Sequence, residues 1–132
     1  MSFLFSEAVL GKCETTEEVE QLIRECTDSN FFVSVHNEQG MYLQASDTIQ
    51  GITGYPFSEL ENQSCYDYFH PEDLVAVLKS HAGVTIKPSI GVVNYRFETK
   101  SGDFVQLESL SKQLKGKGVE DKIVVITRLV PK

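Results

Sequence analysis

At 132 residues, 41% hydrophobic and 23% charged, the chain has the length and composition of one globular domain, which excludes a disordered or fibrous protein. Its formal net charge of -7 argues against a module that neutralises phosphates with a Lys/Arg stripe, so no direct nucleic-acid contact is expected. The basic cluster Lys112, Lys115, Lys117 and Lys122 falls around a predicted turn and reads as a solvated hairpin tip.

Cys13, Cys26 and Cys65 are odd in number and lack C-x-x-C spacing, so they form neither a full disulfide set nor a metal or redox motif. Buried, reduced thiols are expected. The opening Met1–Leu10, MSFLFSEAVL, is interrupted by Glu7 and lacks a positive n-region. It is too short for a membrane span and reads as a short docking helix, strand or partner-binding tail. A soluble protein of the cytoplasm and/or nucleus is expected.

Thr15-Thr16-Glu17-Glu18 is a capping box with Thr15 as N-cap. Val19, Leu22, Ile23 and Cys26 follow on one helical face, so residues 15–27 are predicted as an amphipathic helix that needs a surface to lie on. Phe31–Val35 and Met41–Ala45 flank Asn37-Glu38-Gln39-Gly40 and read as a β-hairpin.

From Ser46 to Phe69 only short helical turns are written. Ser46 or Asp47 caps a turn holding Ile49 and Ile52, and Gly54 ends it; Pro56 suits the first position of the next, with Phe57 and Leu60 inward. Cys65, Tyr66, Tyr68 and Phe69 crowd a third. His70-Pro71-Glu72-Asp73 then starts a longer helix, with Pro at its first position and two acids at the positive dipole end. Leu74, Val77, Leu78 and His81 share its inward face, and Gly83 is the expected stop.

Beyond Pro88 the period changes to two. Val93, Tyr95, Phe97 and Thr99 alternate with Val92, Asn94, Arg96 and Glu98; Lys100–Asp103 turns into Phe104–Leu114; Lys115–Gly118 turns into Lys122–Val130. The last strand is apolar on both faces, so its second face must be covered by the residue 15–26 helix or by a partner. The expected fold class is α+β: a five-stranded antiparallel sheet, two N-terminal and three C-terminal strands, with short helices and one longer helix on one face. Residues 1–30 form a flanking segment and 31–130 the domain.

GYPFSELENQSCYDYFHPEDL (54–74) resembles the PAS-family segment in which a GY-x-x-x-EL turn leads to hP-D-D and the long helix, and NYRFETKSGDFVQLES (94–109) is similar to the hairpin of that family's C-terminal half. The resemblance covers about Phe31 to Val130. Within the family the wording is most similar to the second PAS repeats of bHLH-PAS transcription factors of the ARNT and clock-cycle type, and also to white-collar-type PAS domains. The chain departs from these in reading Ser34-Val35-His36 where an SRH strand is usual, and it carries no basic helix-loop-helix region. The resemblance implies a sensory or protein-interaction module of a signalling or transcriptional regulator, with another PAS domain or signalling protein as its homo- or heterodimer partner.

Cys65 stands where flavin-reactive PAS relatives place their cysteine, but the Asn, Arg and Gln of that motif are missing and Tyr66 and Tyr68 add bulk. His36, His70 and His81 are the only imidazoles available to haem. No cofactor and no metal are expected, with haem, flavin or a small apolar ligand as the alternative. A cavity, if kept open, would draw on Phe32, Tyr42, Ile49, Ile52, Cys65, Tyr68, Phe69, Val77, Leu78, His81, Tyr95 and Phe97. The competing reading is that these side chains simply fill the core.

No nucleophile–base set or phosphate loop is written, and Glu72-Asp73 is accounted for by helix-start electrostatics. No enzymatic activity is expected; a small enzyme on a curved sheet, using Tyr95 or His81, is the remote alternative. The expected partner surface is the outer sheet face: Asn94, Arg96, Glu98, Phe104, Gln106, Glu108, Val124, Ile126 and Arg128.

Overall fold

In a computed structural model, residues 6–86, 90–114 and 121–131 are described, residues 81–86 by backbone alone. The first five residues of the opening segment, the 115–118 turn and the His81 side chain therefore lie outside the described residues.

The opening segment contains a helix, α1 (Glu7–Gly11), whose start is capped by the Ser6 hydroxyl accepting from the Ala8 N–H. The capping box forms as written: Thr15 Oγ1 accepts from the Glu18 N–H, while the Glu18 carboxylate takes the Thr15 hydroxyl and the Glu14 N–H. It starts α2 (Thr16–Glu25), whose Val19 and Leu22 are buried.

The hairpin comprises β1 (Phe31–Asn37) and β2 (Tyr42–Ala45). The Asn37 side chain closes its turn by accepting from Gln39 and Met41 N–H groups. Gly40 has φ +86°, and a Cβ there would meet Tyr66 Cε2 at 2.6 Å, so both conformation and space demand glycine.

The lid contains α3 (Thr48–Thr53), ended by left-handed Gly54, then α4 (Phe57–Leu60) and two 3-10 turns, Cys65–Tyr68 and Pro71–Asp73. Pro56 precedes α4 with ψ 151°, outside the helix rather than at its first position. Neither Ser46 nor Asp47 caps α3 with its side chain. The Ser46 hydroxyl instead accepts from the Val33 N–H and so ties the start of the lid to β1.

Helix α5 (Leu74–Ile86) differs from expectation in two ways. It passes through Gly83, because one glycine costs a helix about 1 kcal/mol and Pro88 lies only two residues past its end. It is also rotated. Val77 is 1% exposed whereas Leu78 is 44% exposed, so Leu78 is no core or cavity residue. At 100° per residue, Leu74 and buried Ser80 Oγ flank Val77, which turns the Leu78 side outward.

Strands β3 (Gly91–Glu98), β4 (Phe104–Leu114) and β5 (Lys122–Leu129) form the meander. The sheet order is β2-β1-β5-β4-β3, with every neighbour antiparallel. β5 is central, which is why it is apolar on both sides. Its two faces belong to different cores. On one side Phe32, Tyr95, Phe97 and Leu107 pack with Tyr42, Ile49, Leu60 and Val77 under the lid and α5. On the other, Val33, Val35, Leu110, Val124 and Ile126 pack against Leu10, Val19 and Leu22 of α1 and α2. Each fully buried aliphatic side chain of this second layer is worth about 1.5–3 kcal/mol. The N-terminal helices thus cover the outer face of β1 and β5. Lys112 fastens them, donating from Nζ to the carbonyls of Gly11 at 3.0 Å and Cys13 at 2.8 Å.

Candidate functional site

The alternation of β1 places Phe32, Ser34 and His36 on the lid side of the sheet, beside Thr127 of β5, Ser109 of β4 and Tyr95 of β3. These polar groups meet inside the inner core and bond to one another. The Tyr95 hydroxyl lies 2.7 Å from Ser109 Oγ, which lies 2.8 Å from Thr127 Oγ1. Ser34 Oγ is 2.9 Å from His36 Nε2, and the other ring nitrogen is 3.3 Å from the Gly40 carbonyl. A carbonyl only accepts, so His36 Nδ1 is the donor to the Gly40 carbonyl.

Between these groups is an internal cavity of ≈ 20 Å³, lined also by Tyr42, Cys65, Phe69 and Val77. That is room for about one water, and the lining offers the two or more polar partners a buried water needs. It is far below the roughly 300–1,000 Å³ of small-molecule sites. Burial pushes the Cys65 thiol up to about 12 against a lowering by its own backbone N–H. Burial likewise raises Tyr95 to about 12, opposed by the Ser109 and Thr127 hydroxyls. Thiol and phenol are both protonated at neutral pH, unlike an activated nucleophile or base.

The expected cavity residues separate into three groups. Phe32, Tyr42, Cys65, Phe69, Val77 and Tyr95 line the cavity. Ile49, Ile52, Tyr68 and Phe97 belong to the same core without reaching it; Tyr68 and Phe97 stack with ring centroids 5.4 Å apart and planes 10° from parallel. Leu78 points away. The polar lining, Ser34, His36, Ser109 and Thr127, was missed by reasoning from apolar periodicity. The usable signal was Ser34/His36 and Ser109/Ser111 at strand spacing, each interleaved with apolar residues.

His70 is also accounted for: its Nδ1 accepts from the Glu72 N–H and caps the turn before α5. Among the described residues no group of three or more His, Cys, Asp or Glu is placed to hold a metal.

Register puts all nine expected interface residues on the outer face, and the N-terminal helices divide them. Val124 and Ile126 are 1% and 0% exposed beneath α1 and α2 and offer no surface to a partner while those helices are in place. The uncovered remainder lies on β3, β4 and the end of β5. There Arg128 pairs with Glu108 at 2.7 Å and Asn94 donates to the same carboxylate at 3.1 Å. On the same face Val92, two residues from Asn94, is 50% exposed, and Phe104, opposite Glu98 at the far end of β4 with its ring 5.0 Å from that of His70, is 39% exposed. Arg96 is turned around the sheet edge to Asp73 and Glu72.

A family profile described as the PAS fold matches residues 42–127. Protein cycle of Drosophila melanogaster is 33% identical over 79 residues, 59% of this chain and 19% of that protein. Basic helix-loop-helix ARNT-like protein 2 of Mus musculus is 33% identical over 59% of this chain and 14% of its own length. Hypoxia-inducible factor 1-alpha of Oncorhynchus mykiss is 29% identical over 62% and 11%. The matched stretch is thus less than a fifth of each relative. Among solved structures, the PAS-B domain of Drosophila melanogaster Cycle with bound ethylene glycol superposes with a TM-score of 0.72 at 28% identity, covering 75% of this chain and 99% of that one. The PAS domain of an HTR-like protein from Haloarcula marismortui, at 18% identity and TM-score 0.69, shares the fold. With a family match over more than half its length, on a sheet, lid and long helix of the same form, the chain belongs to the PAS family.

Proposed function

We propose that this domain is a protein-interaction module of a signalling or transcriptional regulator, and that it pairs with another PAS domain through the uncovered outer face of β3, β4 and β5. The observation that carries the reading is the Asn94–Glu108–Arg128 network on the same sheet face as exposed Val92 and Phe104. A charged network sharing a face with exposed apolar groups suits an interface whose apolar contacts give affinity and whose charges set register. Relatives named as bHLH proteins and a hypoxia-inducible factor support a regulatory parent, acting in the cytoplasm and nucleus. Catalysis is not part of the proposal.

Sedimentation-velocity centrifugation, alone and with a second PAS domain such as Cycle PAS-B, tests it. A dimer that Arg128→Glu and Phe104→Asp both dissociate is expected. A monomer under all conditions, or a dimer indifferent to both changes, overturns the reading.

Ligand sensing is the second reading, supported by the hydroxyl-lined cavity and by relatives solved with bound glycerol or ethylene glycol. On this reading a small polar molecule enters by moving Tyr95 or Phe69. Native mass spectrometry separates the two: a retained small molecule favours sensing, and a ligand-free domain stabilised only by a protein partner favours pairing.

A further inference from the structure

The two N-terminal helices carry most of the protein's charge. Residues 6–30 hold seven carboxylates against Lys12 and Arg24, so five of the seven formal negative charges fall in this short stretch. Between α1 and α2 runs an open groove of ≈ 410 Å³. Its floor is apolar: Val9, Cys13 and Leu22, the last two 6% and 5% exposed. Its walls are Glu17, Glu18 and Glu25, with Gln21 between them and Lys12 as the single cation.

None of these three carboxylates forms an ion pair among the described residues. Glu18 is occupied by the capping box and Glu25 accepts from Gln21 Nε2 at 2.6 Å. The uncompensated negative field reaches the floor: burial first and the Glu18 charge second raise the Cys13 thiol, against the pull of Lys112.

We propose that this groove docks a basic amphipathic helix of a partner protein, with its apolar side chains on Val9, Cys13 and Leu22 and its Lys or Arg residues against Glu17 and Glu25. The rim fixes the sign of the occupant, since nucleic acid, anionic lipid and acidic peptides are repelled while cationic side chains find unpaired carboxylates. The spacing fixes its form. Glu17 and Glu25 stand two turns apart, about 12 Å along α2, which matches cations at i and i+7 or i+8 on a helix lying alongside. The floor selects against a merely polycationic chain, which would leave apolar surface uncovered. This surface lies on the helices, away from the strands assigned to PAS pairing, so either reading can fail without the other.

The test titrates the 15N-labelled full chain with a synthetic four-turn amphipathic Leu/Lys helix and, separately, with its Leu/Glu counterpart. Amide shifts concentrated at Val9, Lys12, Cys13 and Gln21 are expected with the Lys peptide alone. Glu17→Lys with Glu25→Lys should weaken that binding by about tenfold, and raised salt should weaken it in the wild type. Reversal of two exposed acids elsewhere, Glu38→Lys with Glu61→Lys, should change it less than twofold. All four positions are exposed, and retained amide dispersion verifies the fold of each variant. Shifts spread over other acidic surfaces, equal loss from both double reversals, equal binding of the Leu/Glu peptide, or no binding would each overturn the proposal.

Discussion

Asp73 and Arg96 are 23 residues apart in sequence and joined by three hydrogen bonds: Arg96 N–H to Oδ2 at 2.8 Å, Nε to Oδ2 at 2.9 Å and Nη2 to Oδ1 at 2.9 Å. One carboxylate therefore satisfies an edge-strand backbone donor of β3 and a forked guanidinium together, and locks the start of α5 to the sheet edge. The Arg96 carbonyl completes the clamp by accepting from the His70 N–H. Glu72-Asp73, which the chain writes as a helix-start pair, is thus also a tertiary fastener.

The clamp sets an acid dependence. Hydrogen bonding from Arg96 holds the Asp73 carboxyl below its ordinary 3.8. A depressed folded-state value stabilises the protein above the unfolded-state value and loses that contribution as pH falls through the lower one. Asp73→Asn should cost about 1–2 kcal/mol at pH 7, discounted because the guanidinium is partly solvated. The gap from wild type should begin to narrow below about pH 3.8 and vanish only below the lower folded-state value. Urea melts from pH 7 to 2.5 measure it; a gap independent of pH would remove the ionic role of Asp73.

Cys65 should behave as an inert thiol. It is buried and stays protonated up to about pH 12, so maleimide at pH 7.5 should leave it unlabelled in the native protein and label it fully in urea. Peptide mapping by mass spectrometry reads the difference. Native labelling at a rate near the unfolded one would mean that the lid opens freely.

Removing the Tyr95 hydroxyl tests the internal polar seam. Tyr95→Phe leaves Ser109 bonded to Thr127 and deletes one buried partner, so a loss of about 1–2 kcal/mol is expected. Ser109→Ala removes the hydroxyl that both Tyr95 and Thr127 bond to, two contacts rather than one, and should cost more. Thermal melts of the two variants decide the order.

The N-terminal layer should open before the rest of the domain. Lys112 holds it by donating to the Gly11 and Cys13 carbonyls, so Lys112→Met should speed hydrogen exchange in residues 8–14 while leaving β5 protected. Uniformly faster exchange would show that the layer unfolds only with the whole domain.

Gly40→Ala should be among the most damaging single-methyl changes. It combines φ +86° with a 2.6 Å approach to Tyr66, and a loss above about 1 kcal/mol is expected. A denaturant midpoint equal to wild type would contradict the geometry.

What the sequence determined by itself is the local and periodic part. The Thr15 capping box, the Asn37–Gly40 turn, the Gly54 stop and the two-residue period of β3 all appear where they are written, because each depends on neighbours within a few residues. The stretch 54–74 together with 94–109 carries the family for the same reason. Tertiary structure decided what alternation cannot. β1 and β5 are buried on both faces, so their pattern has no sign: nothing in FFVSVHN states that Ser34 and His36 turn toward the lid while Val33 and Val35 turn toward α2. The rotation of α5 follows the packing of Val77 against the sheet, not a count of apolar residues, and it leaves Leu78 outside. The outer face of β5 needed a cover on hydrophobic grounds alone. That the cover is the chain's own α1 and α2, leaving Asn94, Glu108 and Arg128 open, follows only from long-range packing across the sheet.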